Sequence, residues 1–425
     1  MLSVQEPRRF FSPTHEAGGN GFQDKGSKPS LIRTREETMA EARAWIFFRK
    51  LAEQLVVLHR ERVQIKDYQN TKQSDYGLMH VAEVFCSANI ADKAKAIFSE
   101  FDDAGERAKW LAEFDKAHHE GTLLALVARI REEERVQWVH EMYGDRPASL
   151  KDTIMQMADS AAEFAKSGDR EKAAELFAQI FSEKMPEYGK YIPRNFGYTS
   201  CPEAAIVLSH VAEKQYEAGF DSTETIAMAF EVLKGIPKGV SYHALDSDSD
   251  RAMAITNIML ALAKVGRLQE AMELYPETWV WSGFHPLEVY TLVDQHGKHG
   301  ADMLQFSRAL LELDDKRIAA LDDEWHPDKA GNNAILRWAI GKALKEHGHV
   351  AEARALYEDA LEHANSLKPD QTKFVRLYQI SMAYASTLRQ FSPEELSILR
   401  EGGEKELLEI ANFIETQVSP RANVS

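Results

Sequence analysis

Cysteine is almost missing from this chain: 425 residues contain two, Cys86 and Cys201. That excludes a disulfide framework and a Cys-rich zinc site, and two inert thiols in a reducing compartment are expected. Long apolar runs are also missing. None approaches the roughly 20 residues that span a bilayer, and the N-terminus has no continuous hydrophobic signal region. The expectation is a soluble protein without a membrane span, placed in the cytoplasm, with secretion by a signal-peptide-independent route through an N-terminal leader as the alternative. Alternating runs rich in Val, Ile and Thr are absent, so a sheet is not expected. Basic charge is in deficit, with 51 Lys and Arg against 67 Asp and Glu, a net charge of −16. Broad binding to phosphate backbones needs clustered Lys and Arg, so nucleic acid is an unlikely partner on composition.

Catalytic signatures are lacking too. There is no Gly-rich phosphate loop, no Gly-x-Ser-x-Gly elbow, no His-Glu-x-x-His and no kinase signature, and no cofactor is implied. His118-His119 are adjacent and diverge on a helix, and His296 and His299 lack a third ligand, so no metal site is expected. Asp246-Ser-Asp248-Ser-Asp250 starts like a calcium loop, but Arg251 stands where Gly is needed and Asn257 where Glu is needed. Asp250 reads instead as a cap for a helix beginning near Ala252.

What the chain has is helical periodicity with a recurring punctuation. From Ala254 to Tyr275, apolar residues fall at helical spacing on both sides of Gly266, which predicts helix, tight turn, helix. Gly266 suits a left-handed C-cap. Ala271, five residues on, lets two helices approach, and Tyr275 fills the space beside that contact. The same grammar recurs as Gly168, Ala173, Phe177 and as Gly348, Ala353, Tyr357, the latter with Gly341, Leu344 and Ala360. A fourth copy has Asn89 in the turn with Ala82, Phe85, Ala94 and Phe98, and a looser fifth has Gly219 and Phe230. A further hairpin without the signature turns near Gly121.

This pattern resembles the tetratricopeptide repeat, best over residues 330–370. The early Trp of that family is replaced by Arg337, with Trp338 adjacent, and the terminal Pro is missing. The turns are spaced irregularly, where a regular array steps by about 34 residues. The resemblance implies an all-α α-solenoid of seven or eight stacked antiparallel hairpins, and the irregular steps imply lengthened loops and at least one unmatched hairpin between consecutive clear ones. The pentatricopeptide family shares the Gly266-Arg-Leu-Gln-Glu-Ala271 style of turn but implies an RNA-binding basic groove, against the composition here.

Residues 1–34, with Pro7, Pro13, Gly18, Gly19, Gly21, Gly26 and Pro29, are expected to form a flexible leader. The helical body should run from 35 to 418, and 419–425 should be a tail. Thr34-Arg-Glu-Glu37 reads as a capping box, and Ser149 and Ser392 as further helix starts, Pro393 taking the first helical position.

Two long connections could carry a site. The first holds Tyr188, Lys190, Tyr191, Arg194 and Tyr198, the second Trp279 and Trp281. Their rings could stack a ligand and Arg194 or Lys190 could hold an anion, or they could fold back as satellite clusters. By family resemblance, the first functional expectation is a scaffold or adaptor holding a protein or peptide partner, basic in character given the acidic chain. The alternatives are an all-helical enzyme resembling an α/α-toroid hydrolase with an aromatic-lined pocket, and an RNA-binding helical-repeat protein.

Overall fold

The computed structural model describes residues 33–63, 71–123, 125, 126, 129, 150–188, 202–236, 241, 242, 245–278, 286–300, 302–320 and 329–418. These are all-helical apart from one two-residue antiparallel ladder, Ser241–Tyr242 against Leu245–Asp246. Among the described residues, no helix is long and apolar enough to cross a membrane.

The helices are α1 (Arg35–Val63), α2 (Thr71–Ser87), α3 (Ala91–Ser99), α4 (Ala104–His119), α5 (Leu150–Lys166), α6 (Arg170–Gln179), α7 (Pro202–Glu217), α8 (Thr223–Lys234), α9 (Ser247–Lys264) and α10 (Leu268–Leu274). They continue as α11 (Pro286–Lys298), α12 (Met303–Ala320), α13 (Lys329–Glu346), α14 (Val350–Asn365), α15 (Gln371–Ala385), α16 (Pro393–Glu401) and α17 (Lys405–Gln417). A π-helical turn, Ile180–Lys184, follows α6, and a 3₁₀ turn, Tyr275–Thr278, follows α10.

The punctuation is set by left-handed residues. Among the described residues, positive φ occurs at Asn89, Gly121, Gly168, Gly219, Gly266, Gly300, Gly348 and Gly403. At Gly266 the amide donates to Ala263 O at 3.1 Å and the next amide, Arg267 N, to Leu262 O at 2.8 Å, which satisfies two carbonyls the helix end leaves open. The same pair of bonds closes the turns at Asn89, Gly121, Gly168, Gly219 and Gly348. Gly300 marks a further turn, between Gly266 and Gly348. His296 and Gly297 lie inside α11. Helix α9 begins at Ser247, earlier than the start near Ala252 that Asp250 suggests, because the ladder delivers the chain directly into it.

The small-and-aromatic pairs pack as their spacing requires. Ala173, Ala271, Ala353, Tyr275 and Tyr357 are fully buried, and Phe177 nearly so. A Cβ on Gly341 would stand 2.6 Å from Tyr357 Cε1, so only glycine lets that ring lie against α13. Arg337 makes an ionic tie between three helices. Its fork donates to both oxygens of Asp315 on α12, at 2.9 and 3.1 Å, while Nε donates to Asp359 on α14.

Helix packing follows chain order from α5 through α7, α9, α11 and α13 to α15, and then departs from it. The next helix against α15 is α2, and α1 lies beside both, covered in turn by α16 and α17. The apolar character of α1 on more than one side explains this: Trp45, Phe48, Leu51 and Leu55 are buried, each stabilising the fold by roughly 1.5–3 kcal/mol. Trp45 Nε1 donates to Arg389 O at 2.9 Å. Glu41 of α1 accepts from Arg354 on α14 at 3.0 Å and from the Arg389 amide at 2.8 Å. One hydrophobic cluster therefore runs from Ala42 to Ile414, and a smaller one joins α5, α6 and one side of α7.

The capping boxes at Thr34 and Ser392 form as expected. Thr34 N donates to Glu37 at 2.8 Å and Glu37 N to Thr34 Oγ1 at 3.2 Å, and the Ser392–Glu395 pair repeats this with Pro393 in the first turn. Ser149 lies outside the described residues, as do the leader, apart from Arg33 and Thr34, and residues 419–425.

Candidate functional site

The two connections singled out from sequence contribute no geometry. Tyr188 ends the helical turn Met185–Tyr188, and its side chain is not described. Lys190, Tyr191, Arg194, Tyr198, Trp279 and Trp281 lie outside the described residues.

A different group of side chains comes together on the row α11, α13, α15 and α2. On α11, Tyr290, Asp294 and Lys298 recur every four residues, as Trp338, Lys342 and Glu346 do on α13, so each set forms a stripe along one face. Tyr290 OH donates to Glu346 Oε2 at 2.5 Å. The Lys342 ammonium stands 4.7 Å from the Tyr290 ring centre and 5.8 Å from that of Trp338, within cation–π range. Trp338 Nε1 donates to Gln379 O on α15 at 3.1 Å. Neighbouring Tyr378 donates to Glu83 of α2 at 2.5 Å, and the His80 ring packs 4.4 Å from that phenol ring. Ser87 reaches Met382 one turn further along. Tyr290, Trp338, Lys342, Tyr378, Met382 and His80 are all half-buried, so their rings and stems are fixed by packing while part of each faces solvent.

The acids of this stripe are held by neighbours. Asp294 accepts from His347 Nε2 at 3.0 Å, Lys298 at 2.7 Å and Gln295 at 2.9 Å. His347 can reach it because Gly297 gives room: a Cβ there would stand 2.6 Å from His347 Cε1. Glu83 is fully buried under Tyr378 and His80. Burial, and then the bond to Glu346, push the Tyr290 phenol well above its ordinary range, so it stays a donor.

Two clefts flank the second half of α1. One, of about 500 Å³, is lined by Gln54, Val57, Glu61, Asn365 and Lys373, and the other, of about 300 Å³, by Phe48, Val56, Phe85, Ile97 and Phe413. Val57, 54% exposed, forms the ridge between them. Neither cleft gathers a nucleophile and a base.

Two of the histidines raised by the sequence, His118 and His296, make ring contacts. His118 stacks on Phe114, and His296 donates from Nδ1 to Leu292 O at 2.8 Å while stacking on Phe306. Burial lowers the His296 pKa, which favours the neutral ring. Among the described residues, no group of three or more His, Cys, Asp or Glu side chains could hold a metal ion. Cys86 is buried, and its thiol is pushed far up by desolvation, with Glu83 adding to the effect.

What could have pointed to the stripe is the period-four recurrence of large polar and aromatic residues on first helices of hairpins, at 290, 294, 298 and at 338, 342, 346. No protein family matches the chain, and no curated protein matches it.

Proposed function

We propose that the chain is a tetratricopeptide-like α-solenoid acting in the cytoplasm as a protein-interaction scaffold, holding an extended or helical peptide of another protein across the stripe formed by α11, α13, α15 and α2. The observation that carries this reading is the half-buried run Tyr290, Lys342, Trp338, Tyr378 and His80. Fixed aromatic surface with a wet polar edge is the composition from which binding energy is usually drawn at protein interfaces. The repeated hairpin with its small-and-aromatic contact supports the solenoid, and stacked hairpins of that kind present first-helix faces in series. The net charge of −16 favours a basic partner and salt-sensitive association.

The test is affinity capture from source-cell lysate at low and high salt, using the wild-type chain and the variant Lys342→Glu/Tyr378→Ser after both are shown to be folded. A protein captured by wild type at low salt, and lost with the variant, supports the scaffold. Capture that is equal for both proteins removes the stripe from the reading. A captured partner consisting of RNA would replace it.

A further inference from the structure

At the end of the α9–α10 hairpin, four ionisable side chains from three elements come together, three of them buried and Arg317 half-buried. Tyr275, from the 3₁₀ turn, and Asp314, from α12, are fully buried, Glu288 of α11 is 4% exposed, and Arg317 of α12 completes the group. Tyr275 OH donates to Asp314 Oδ2 at 2.5 Å, and Arg317 Nη1 approaches Asp314 Oδ1 at 3.4 Å. The same guanidinium lies 5.1 Å from the Tyr275 ring centre and donates to the carbonyls of Tyr275, at 3.5 Å, and Pro276, at 3.2 Å. Arg317 therefore straps α12 to the backbone on which the hairpin ends.

Around this strap, the ionic groups are of known sign. From α9, Arg251 stands 3.7 Å from Glu277 of the 3₁₀ turn. From α12, Asp315 adds negative charge beside Asp314, though Arg337 of α13 holds it. Glu288 of α11 acts on the same guanidinium and phenol. Two buried carboxylates thus act on one guanidinium, and burial makes the charged form of Asp314 costly.

We propose that the Tyr275–Asp314–Arg317 cluster is a proton-sensitive strap, in which protonation of the Asp314 carboxyl frees Arg317 from that acid and leaves it on the Tyr275 and Pro276 carbonyls and in the field of Glu288. Desolvation is the main cause that lifts the Asp314 carboxyl from 3.8 to about 6, against the opposing pull of Tyr275 and Arg317. A folded value above the unfolded one means that folding takes up a proton. The folded state is then favoured as pH falls, by roughly ten-fold in the folding equilibrium between pH 7 and 5 and by roughly a hundred-fold only once pH is below the unfolded value of 3.8.

The experiment measures urea unfolding of the full chain at pH 5, 6 and 7 for wild type, Asp314→Asn and Glu288→Gln. Asn keeps an acceptor for Tyr275 and removes the proton site. Wild type should gain stability relative to Asp314→Asn on going from pH 7 to 5, and Glu288→Gln should shift that gain to lower pH. Parallel profiles for all three proteins would overturn the strap. If Asp314→Asn does not fold, hydrogen exchange of wild-type peptides covering 275–278 and 310–320, corrected for intrinsic rates, decides: protection should change between pH 5 and 7, and a flat profile would overturn the strap.

Discussion

Arg33 closes on Glu395 across 362 residues of chain, with Nε at 2.6 Å from one carboxylate oxygen and Nη2 at 2.7 Å from the other. Nη2 also donates to Gln390 O at 2.6 Å, and the guanidinium sits 4.9 Å from the Phe391 ring centre. Glu395 simultaneously completes the capping box of α16. The pair ties the entry to α1 to the helices that cover it, and Glu41 carries the connection on to Arg354 of α14.

Both members of this pair are well shielded, with side chains 15% and 6% exposed. Arg33→Ala strands a carboxylate and should cost about 2–3 kcal/mol in urea unfolding. A double-mutant cycle with Glu395→Gln should return a coupling of about 1–3 kcal/mol, whereas additive effects would show that the pair contributes nothing beyond its parts.

The bond from Arg33, assisted by the Ser392 amide, holds the Glu395 carboxyl below its ordinary 4.5. A depressed folded value contributes stability that is complete above the unfolded pKa and is lost as pH falls through the folded one. Wild type should lose more stability than Arg33→Met below about pH 4.5. Parallel acid limbs would contradict this.

Ala353 is fully buried where α14 meets its neighbours, and Glu352 beside it is exposed. Ala353→Leu should destabilise by about 1–3 kcal/mol through overpacking, while Glu352→Leu should stay near zero. Thermal unfolding separates the two, and an unchanged melting temperature for Ala353→Leu would count against the register of the hairpin.

Trp45 fills the seam between α1 and the segment after α15. Trp45→Phe should lose its bond to the Arg389 carbonyl, costing about 1 kcal/mol, and Trp45→Ala about 3–5 kcal/mol. Chemical denaturation of the full chain reads both, and loss of the same amount in each would show that the hydrogen bond, not the ring, holds the seam.

The hairpins were legible because their grammar is local. A residue that must adopt positive φ, a small residue five positions on and a ring four positions later are all set by contacts within about ten residues, so Gly168, Gly266 and Gly348 could be placed from sequence. Gly403 was missed because no small-and-aromatic pair follows it. The packing of α1 on α15 was not legible, since it depends on Arg33 meeting Glu395 and Trp45 meeting Arg389, pairs whose separation in sequence carries no periodic signal. The stripe was hidden for a related reason: Tyr290, Trp338, Tyr378 and His80 come from four helices, and only the packing of α15 on α2 brings the last two together. The aromatic loops stand out in the sequence instead, because their composition departs from the acidic helical background.

The most direct test of the scaffold reading is hydroxyl-radical footprinting of the full chain with and without its captured protein partner, read residue by residue by mass spectrometry. Tyr290, Trp338, Tyr378, Met382 and His80 should lose labelling together when the partner is bound. Unchanged labelling at these five, with protection falling instead on Val57 and Phe413 beside the α1 clefts, would contradict the account.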